Sequence, residues 1–146
     1  MPTSEKYGSV EFILERLQKW VAKNPNKPMY HFYGDDGESL VASYTYGEFD
    51  QATRQLARHL VAPTSAGGRG IEPGSCVLLV YPPSLDFVVA FIACLKAGII
   101  AVPVFPPDPT QLRKSLYMFT SIQSDCGATV ALTNKLYSWA KKISSI

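Results

Sequence analysis

Hydrophobic positions are densest between residues 81 and 109, where the sequence is apolar nearly throughout and is punctuated by proline and glycine. Ser84 is placed to cap a helix, and Gly98 suits the left-handed position that ends one. The helix has no clear polar face, so it is predicted to be buried on most sides. Its apolar residues are Leu85, Phe87, Val88, Val89, Phe91, Ile92 and Leu95.

Short apolar segments flank this helix at residues 75–81 and 99–104. Both are predicted to be strands covered on both faces. Pro103 places the second strand near an edge or a strand end, because proline cannot donate a ladder hydrogen bond. A strand, a buried helix and a strand within about 30 residues is the βαβ unit. The fold class predicted is therefore α/β, with a parallel sheet flanked by helices.

The N-terminal part of the chain shows a helical pattern and then two short strand patterns. An amphipathic helix is predicted from a possible Ser9 cap to the Asn24-Pro25 pair, with apolar positions at Val10, Ile13, Leu14, Leu17, Trp20 and Val21. Residues 29–33 and 39–45 are rich in strand formers, and turn residues 34–37 lie between them. An antiparallel hairpin beside the parallel sheet is the simplest interpretation.

A helix start is well marked at Thr45, because Thr45 and Glu48 have the spacing of a capping box. Tyr44 and Phe49 occupy the positions of a hydrophobic staple around that cap. The pattern continues to Pro63, which is predicted to end the helix. Arg54, Arg58 and His59 are left to solvent or to a neighbouring element.

Towards the C-terminus, Asp108 is placed to cap a helix with Pro109 at its first position. The apolar face of that helix consists of Leu112, Leu116, Phe119 and Ile122, and Gly127 marks its end. A buried strand at residues 128–132 and a last helix from Thr133 or Asn134 are predicted to follow. No repeat or change in composition marks a second domain, so residues 1–146 are predicted to form one unit.

Composition narrows the function classes. Of the 146 residues, 47% are hydrophobic, and the net charge is +2 with scattered basic residues, so nucleic acid is not the expected partner. Cys76, Cys94 and Cys126 lie far apart and are predicted to be reduced core residues. The N-terminus has no hydrophobic signal region, and charges and prolines interrupt the longest apolar run. A cytoplasmic protein without a membrane span is expected.

Three polar groupings invite a chemical interpretation, and each has a simpler structural one. Residues 67–70 are rich in glycine, yet they precede a strand and lack the lysine and hydroxyl residue of a nucleotide-binding loop. His31 and His59 have no nucleophile or carboxylate placed as a relay. The acidic residues at positions 35, 36 and 38 lie where a turn favours them.

One loop is adjacent to a site by position alone. Prolines fix the path of the chain where it leaves a parallel strand, the point at which α/β folds usually place ligands. A rigid connection between strand and helix is the alternative interpretation. The candidate residues are Pro103, Phe105, Pro106, Pro107 and Asp108.

Two stretches of the amino-acid sequence resemble a known family: residues 43–60 (SYTYGEFDQATRQLARHL) and residues 76–109. Both look like the start of the adenylate-forming superfamily of acyl and aminoacyl ligases. Residues 79–83 (LVYPP) with residues 102–107 (VPVFPP) are similar to the fatty acyl-AMP ligase branch in particular. Phe105 stands where that branch usually has tyrosine.

This resemblance implies an activity and several partners. Such ligases join a fatty acid to the α-phosphate of ATP with magnesium, release pyrophosphate and pass the acyl group to an acyl carrier protein. The family's phosphate loop, ribose-binding aspartate and catalytic lysine belong later in the chain, so no catalytic, cofactor-binding or metal-binding residue is assigned here. The chain is expected to be the opening portion of the N-terminal domain and to be inactive by itself.

Two alternatives remain open, an acyl-CoA synthetase and a non-catalytic ligase-like regulatory module. One further expectation follows from burial alone. The helices predicted here are too few to cover three strands on both faces, so an apolar face or a sheet edge should be exposed and the isolated chain should self-associate.

Overall fold

The structure is a computed structural model that describes residues 10–107 and 112–135, with the side chains of residues 10–12 and 112 left undescribed. A short 3₁₀ turn at Thr64–Ala66 follows the second helix. The elements in chain order are α1 (Val10–Lys23), β1 (Pro28–Tyr33), β2 (Leu40–Thr45), α2 (Tyr46–Val61), β3 (Cys76–Val80), α3 (Leu85–Lys96), β4 (Ile100–Val104), α4 (Leu112–Cys126) and β5 (Val130–Leu132).

The predicted parallel sheet is present, with the strand order β4-β3-β5. Val77 of β3 pairs with Ala101 on one side and with Val130 on the other. The central strand β3 is covered on both faces, as predicted. That prediction is wrong for the outer strands, because Ile100 and Pro103 of β4 and Ala131 of β5 are exposed. Pro103 lies on an edge strand, which confirms the position inferred from its missing N–H group.

The side chains of β3 divide the core into two layers. Val77 and Leu79 pack against α3 in one cluster, which includes Ala90 and Cys94. Leu78 and Val80 face the opposite cluster, which includes Phe119 and Ile122 of α4. Helices therefore cover the sheet on both sides, as a parallel sheet requires.

Helix α3 is buried on most sides, as predicted, and Asp86 is its exposed residue. Gly98 has φ of +68° and ends the helix in the left-handed conformation. The N–H of Ile99 donates to the carbonyl of Cys94 and that of Gly98 to the carbonyl of Leu95, which is the Schellman pattern. The cap predicted at Ser84 differs in detail. Its hydroxyl makes no capping bond to α3 and instead donates to the carbonyl of Pro82, at 3.0 Å.

Helix α2 begins with the predicted capping box. The Thr45 N–H donates to Glu48 Oε2 at 2.8 Å, and the Glu48 N–H donates to Thr45 Oγ1 at 3.2 Å. Hydrogen bonding from the Thr45 backbone N–H, and then from its side chain, lowers the pKa of the Glu48 carboxyl. Tyr44 and Phe49 meet edge to face, with ring centroids 6.0 Å apart, so the staple is confirmed as well.

The hairpin is confirmed, and β1 and β2 form an antiparallel sheet of their own. It packs through Tyr30 and Tyr44 onto Phe49 of α2, rather than pairing with the parallel strands. Helix α1 covers the same cluster through Leu17. The helix predicted before Pro25 is therefore confirmed, while its Ser9 cap lies outside the described residues.

Helix α4 ends at Cys126, and Gly127 follows it with φ of +65°. Its predicted apolar face is only partly covered, because Leu116 is exposed while Phe119 and Ile122 pack against β3. Strand β5 is confirmed at Val130–Leu132. The predicted Asp108 cap and the predicted helix after Asn134 lie outside the described residues.

The glycine-rich segment has a packing explanation. A Cβ atom built on Gly68 would lie 2.0 Å from the carbonyl oxygen of Ala62, so only glycine fits there. The Gly70 N–H donates to the same oxygen at 2.8 Å. The loop closes over the end of α2, which favours the structural interpretation over a phosphate-binding one.

Candidate functional site

The structure forms an apolar cleft of about 470 Å³ at the carboxyl ends of β3 and β4. Two proline-bearing segments enclose it, one leaving each strand. Because β3 and β4 are parallel and in register, with Leu79 opposite Pro103, the two segments emerge at the same edge of the sheet. The cleft is lined by Leu79, Tyr81, Pro82, Pro83, Ser84, Phe87, Pro103, Val104, Phe105 and Pro106.

Aromatic packing shapes the inner wall of the cleft. The rings of Tyr81 and Phe87 meet edge to face with centroids 6.4 Å apart, and Phe91 continues the row at 6.1 Å from Phe87. The outer wall is Phe105, whose side chain is 96% exposed. A phenylalanine this exposed, beside prolines, forms an apolar patch at this edge of the sheet, and such patches favour contact with the apolar surface of another molecule.

The polar groups of the cleft are few and uncharged at neutral pH. Burial raises the pKa of the Tyr81 phenol to about 12, with smaller contributions from the charges of Asp86 and Cys94. Tyr81 is therefore a neutral hydroxyl at physiological pH. The Ser84 hydroxyl is already bonded to Pro82. The cleft is suited to receive an apolar group, and its lining supplies no nucleophile with an adjacent base.

The structure brings three of the five predicted site residues together in this cleft, Pro103, Phe105 and Pro106. Pro107 follows them and is half-buried, while Asp108 lies outside the described residues. Their role in a functional site remains a prediction. Sequence reasoning did not include Tyr81, Pro82 or Pro83 among the site residues. The rule that loops after adjacent parallel strands share one edge of the sheet would have found them.

A second polar arrangement, also missed from the sequence, joins α2 to α3. Lys96 Nζ lies 2.7 Å from Asp50 Oδ1 and 2.7 Å from the hydroxyl oxygen of Thr53. The other carboxylate oxygen of Asp50 lies 2.7 Å from Arg54 Nε. The Lys96 and Asp50 side chains are only 11% and 10% exposed. Each charge faces a partner, so the arrangement is a structural ion pair that locks the two helices together.

The remaining candidates behave as structural residues. The Asp36 carboxylate accepts hydrogen bonds from the Ser39 hydroxyl and from the backbone N–H groups of Ser39 and Glu38, and these bonds lower the pKa of the carboxyl. The acidic residues therefore belong to a turn. His31 and His59 are exposed. Cys94 is fully buried, and burial raises the pKa of its thiol to about 11, as expected for an unreactive core cysteine. All three cysteines are free thiols.

Comparison with known proteins identifies the family. The family model for the AMP-binding enzymes matches residues 17–145. The chain belongs to this family. Among the AMP-binding relatives, the medium-chain-fatty-acid–[acyl-carrier-protein] ligase JamA of Moorena producens is 36% identical over 111 residues. That match covers 75% of this chain and 18% of JamA.

Two further likenesses point in different functional directions. A crystal structure of the fatty acid AMP ligase from Legionella pneumophila superposes with a TM-score of 0.69 at 26% identity, covering 92% of this chain and 21% of that one. Disco-interacting protein 2 of Drosophila melanogaster is 42% identical over 105 residues, which cover 71% of this chain and 6% of that protein. The chain therefore spans about a fifth or less of the length of these relatives. Its fold is similar to the N-terminal part of the fatty acyl-AMP ligases.

Enzymes of the AMP-binding family use ATP and Mg²⁺, so we tested the described residues for groups that would hold them. No group of three or more His, Cys, Asp or Glu side chains converges on a metal position in residues 10–107 and 112–135. The glycine-rich loop precedes a strand, and Gly68 packs on Ala62, so it offers no helix N-terminus to a phosphate. The part of the chain that the structure describes therefore does not fit the nucleotide or its metal ion. No helix in that part is long and apolar enough to cross a membrane.

Proposed function

We propose that the chain is the opening portion of the N-terminal domain of a fatty acid–AMP ligase, with no second domain among its 146 residues. The complete enzyme activates a medium or long fatty acid with ATP and magnesium to acyl-AMP, and then passes the acyl group to an acyl carrier protein. The likeness to the Legionella ligase over 92% of the chain carries this proposal. The similarity to JamA supports the carrier protein as acceptor.

The proposal assigns the chain a scaffolding role within that enzyme. Stabilising charge at the α-phosphate needs hydrogen-bond donors or cations aimed at it. The cleft at the ends of β3 and β4 offers apolar surface and the neutral Tyr81 hydroxyl instead. We therefore expect the chain to position the rest of the ligase through this surface and to form no acyl adenylate by itself.

Fatty-acid-dependent exchange of pyrophosphate into ATP tests the proposal. The complete protein encoded by the gene should catalyse the exchange and load a carrier protein, with little acyl-CoA detected by chromatography. The 146-residue chain, assayed in parallel, should give only the blank rate. Rapid acyl-CoA formation by the complete protein would assign it to the acyl-CoA synthetases instead.

A second candidate is a non-catalytic ligase-like module, which the 42% identity to Disco-interacting protein 2 favours. That relative is named for an interaction rather than for a reaction. The same exchange assay separates the two candidates. A complete protein that is folded but gives no acyl-AMP with any fatty acid from medium to long chain would support the module and contradict the ligase.

A further inference from the structure

Helix α1 carries exposed apolar and basic residues along one flank. Ile13 is 54% exposed and Trp20 is 41% exposed, although both belong to the apolar pattern of the helix. Ile13, Arg16, Trp20 and Lys23 are three or four residues apart, so they form one stripe along the helix surface. Leu17, on the inner side, is buried against Phe49 and Val89. Only part of the apolar face of α1 therefore packs against the core.

The indole of Trp20 is held in place at the centre of this stripe. Its ring stacks on Tyr46 with centroids 6.2 Å apart and an angle of 26° between planes. Lys23 Nζ lies 5.7 Å from the ring centroid and Lys27 Nζ lies 5.8 Å from it. Two ammonium groups thus flank an exposed indole, an arrangement that cation–π attraction stabilises.

The charge around Trp20 is strongly one-sided. Residues 13–27 contain one acidic residue, Glu15, and four basic ones, Arg16, Lys19, Lys23 and Lys27. This segment thus carries a net charge of +3, which exceeds the +2 of the whole chain. Glu15, Arg16, Lys19 and Trp20 also line a shallow surface hollow beside the helix. We call Ile13, Arg16, Lys19, Trp20, Lys23 and Lys27 the α1 patch.

We propose that the α1 patch binds the surface of an anionic lipid bilayer, with α1 lying along the plane of the headgroups. Trp20 and Ile13 would enter the interface, where indole rings are favoured because one part is apolar and the N–H is polar. The basic side chains would lie over the lipid phosphates. A helix with exposed aromatic and aliphatic residues beside a row of lysines matches such a surface in both shape and charge.

A bilayer fits this patch better than an acidic protein does. Protein interfaces of ordinary strength have a buried apolar core. Among the described side chains of α1, Ile13 and Trp20 are the large apolar ones that are exposed, well short of such a core. A polybasic surface with one aromatic anchor is sufficient for reversible attachment to lipid, because each lysine or arginine contributes separately. The inference stands apart from the proposed ligase activity, since it uses residues of α1 rather than the strand-end cleft.

Sedimentation with lipid vesicles tests the proposal on the full chain. We expect binding to vesicles of equal parts phosphatidylcholine and phosphatidylglycerol, weakening as salt is added, and little binding to pure phosphatidylcholine. The Lys19→Glu/Lys23→Glu variant should bind at least about 25-fold more weakly, because each lysine near an anionic surface is worth about fivefold in affinity. Both lysines are exposed, so the variant should keep its circular dichroism spectrum.

A matched control changes the net charge equally at another place. The Arg58→Glu/Arg69→Glu variant replaces two exposed arginines outside α1 and should bind within about twofold of the wild type if position matters more than total charge. A second measurement follows Trp20 directly. In a Trp139→Phe background, its fluorescence should shift to the blue with anionic vesicles and not in the Lys19→Glu/Lys23→Glu variant.

Three outcomes would overturn the proposal. Equal binding to neutral and anionic vesicles would remove the electrostatic basis. Equal loss of binding in the α1 variant and the arginine control would show a nonspecific charge effect. Binding of soluble poly-glutamate without binding of vesicles would assign the α1 patch to an acidic protein partner instead.

Discussion

The two ends of helix α3 differ in how completely other residues of this chain cover them. Towards α2, Lys96 at the end of the helix forms an ion pair with Asp50 and a hydrogen bond with Thr53. Among the described residues, no buried side-chain nitrogen or oxygen atom lacks a hydrogen-bond partner. At the other end, α3 begins beside an open cleft whose outer wall, Phe105, is almost entirely exposed.

One end of α3 is thus specified by contacts within the chain, and the other leaves apolar surface uncovered. A buried ion pair is costly unless each partner is satisfied, so the α2–α3 contact is specified within the chain itself. Apolar surface carries no such internal requirement and is stabilised by any partner that covers it. Substitutions at the α2–α3 contact should therefore change the free energy of unfolding. Substitutions at the cleft should instead change how strongly the chain associates with other molecules.

The largest expected effect is at Lys96. Replacing it with alanine leaves the Asp50 carboxylate and the Thr53 hydroxyl buried with fewer partners, and should lower the free energy of unfolding by about 3 kcal/mol. Urea unfolding followed by circular dichroism measures the loss. The double variant Asp50→Leu/Lys96→Met should recover most of it, because apolar pairs often replace buried ion pairs without loss. Lys114→Ala, at an exposed position of α4, is the control. An equal loss of stability there would contradict the conclusion that the Lys96 ion pair stabilises the α2–α3 contact.

The next effect concerns the loop that follows α2. Gly68→Ala places a methyl group 2.0 Å from the Ala62 carbonyl oxygen and should cost about 1–3 kcal/mol, since the backbone must move. Gly67→Ala meets no atom within 4 Å and should cost only the strain of its φ of +77°, about 1 kcal/mol. Thermal unfolding of both variants decides between crowding and strain. A smaller loss for Gly68→Ala than for Gly67→Ala would show that the loop is not packed as described.

A smaller effect is expected at the start of α2. Thr45→Ala removes the side-chain half of the capping box and should lower the free energy of unfolding by about 1 kcal/mol. Thr45→Ser keeps the hydroxyl and should stay close to the wild type. Chemical denaturation of the three proteins measures both values. Equal losses for alanine and serine would mean that the methyl group of Thr45, rather than its cap, stabilises this helix.

The smallest effect on stability, and the clearest on association, is expected at the cleft. Phe105→Ser should change the free energy of unfolding by less than about 0.5 kcal/mol, because the side chain is 96% exposed. It should also lower hydrophobic-dye binding and the self-association seen by sedimentation velocity. Tyr117→Ser, which removes an exposed aromatic side chain of α4, is the matched control. A wild-type chain that is monomeric and binds no dye would contradict the prediction that the exposed apolar cleft drives self-association.

Local patterns predicted the elements of this fold well. The capping box at Thr45, the staple between Tyr44 and Phe49 and the left-handed Gly98 each depend on residues within five positions of one another. The same holds for the βαβ unit, whose strands and helix follow directly in the chain. Contacts at such short range are visible in the sequence because chain geometry fixes which side chains can meet.

Contacts between distant residues were not predictable in the same way. Lys96 and Asp50 are 46 positions apart, and nothing in either local pattern shows that α2 and α3 lie side by side. Only one of the two segments that line the cleft was predicted from the sequence. The segment after β4 was singled out by its prolines, but its pairing with Pro82 and Pro83 depends on the register of β3 and β4. The exposure of β4 depends on strand order, which periodicity does not encode.

The central position of β3 has a consequence for how the protein is made. On a ribosome, β3 is the first of the three parallel strands to emerge, and neither of its neighbours yet exists. Strand β4 arrives after one helix and closes a short loop, whereas β5 must wait for a second helix and closes a longer one. The most buried strand of the sheet therefore passes through a period in which both of its edges are unpaired and open to chaperones or to other nascent chains. Vectorial synthesis fills the sheet outward from its middle.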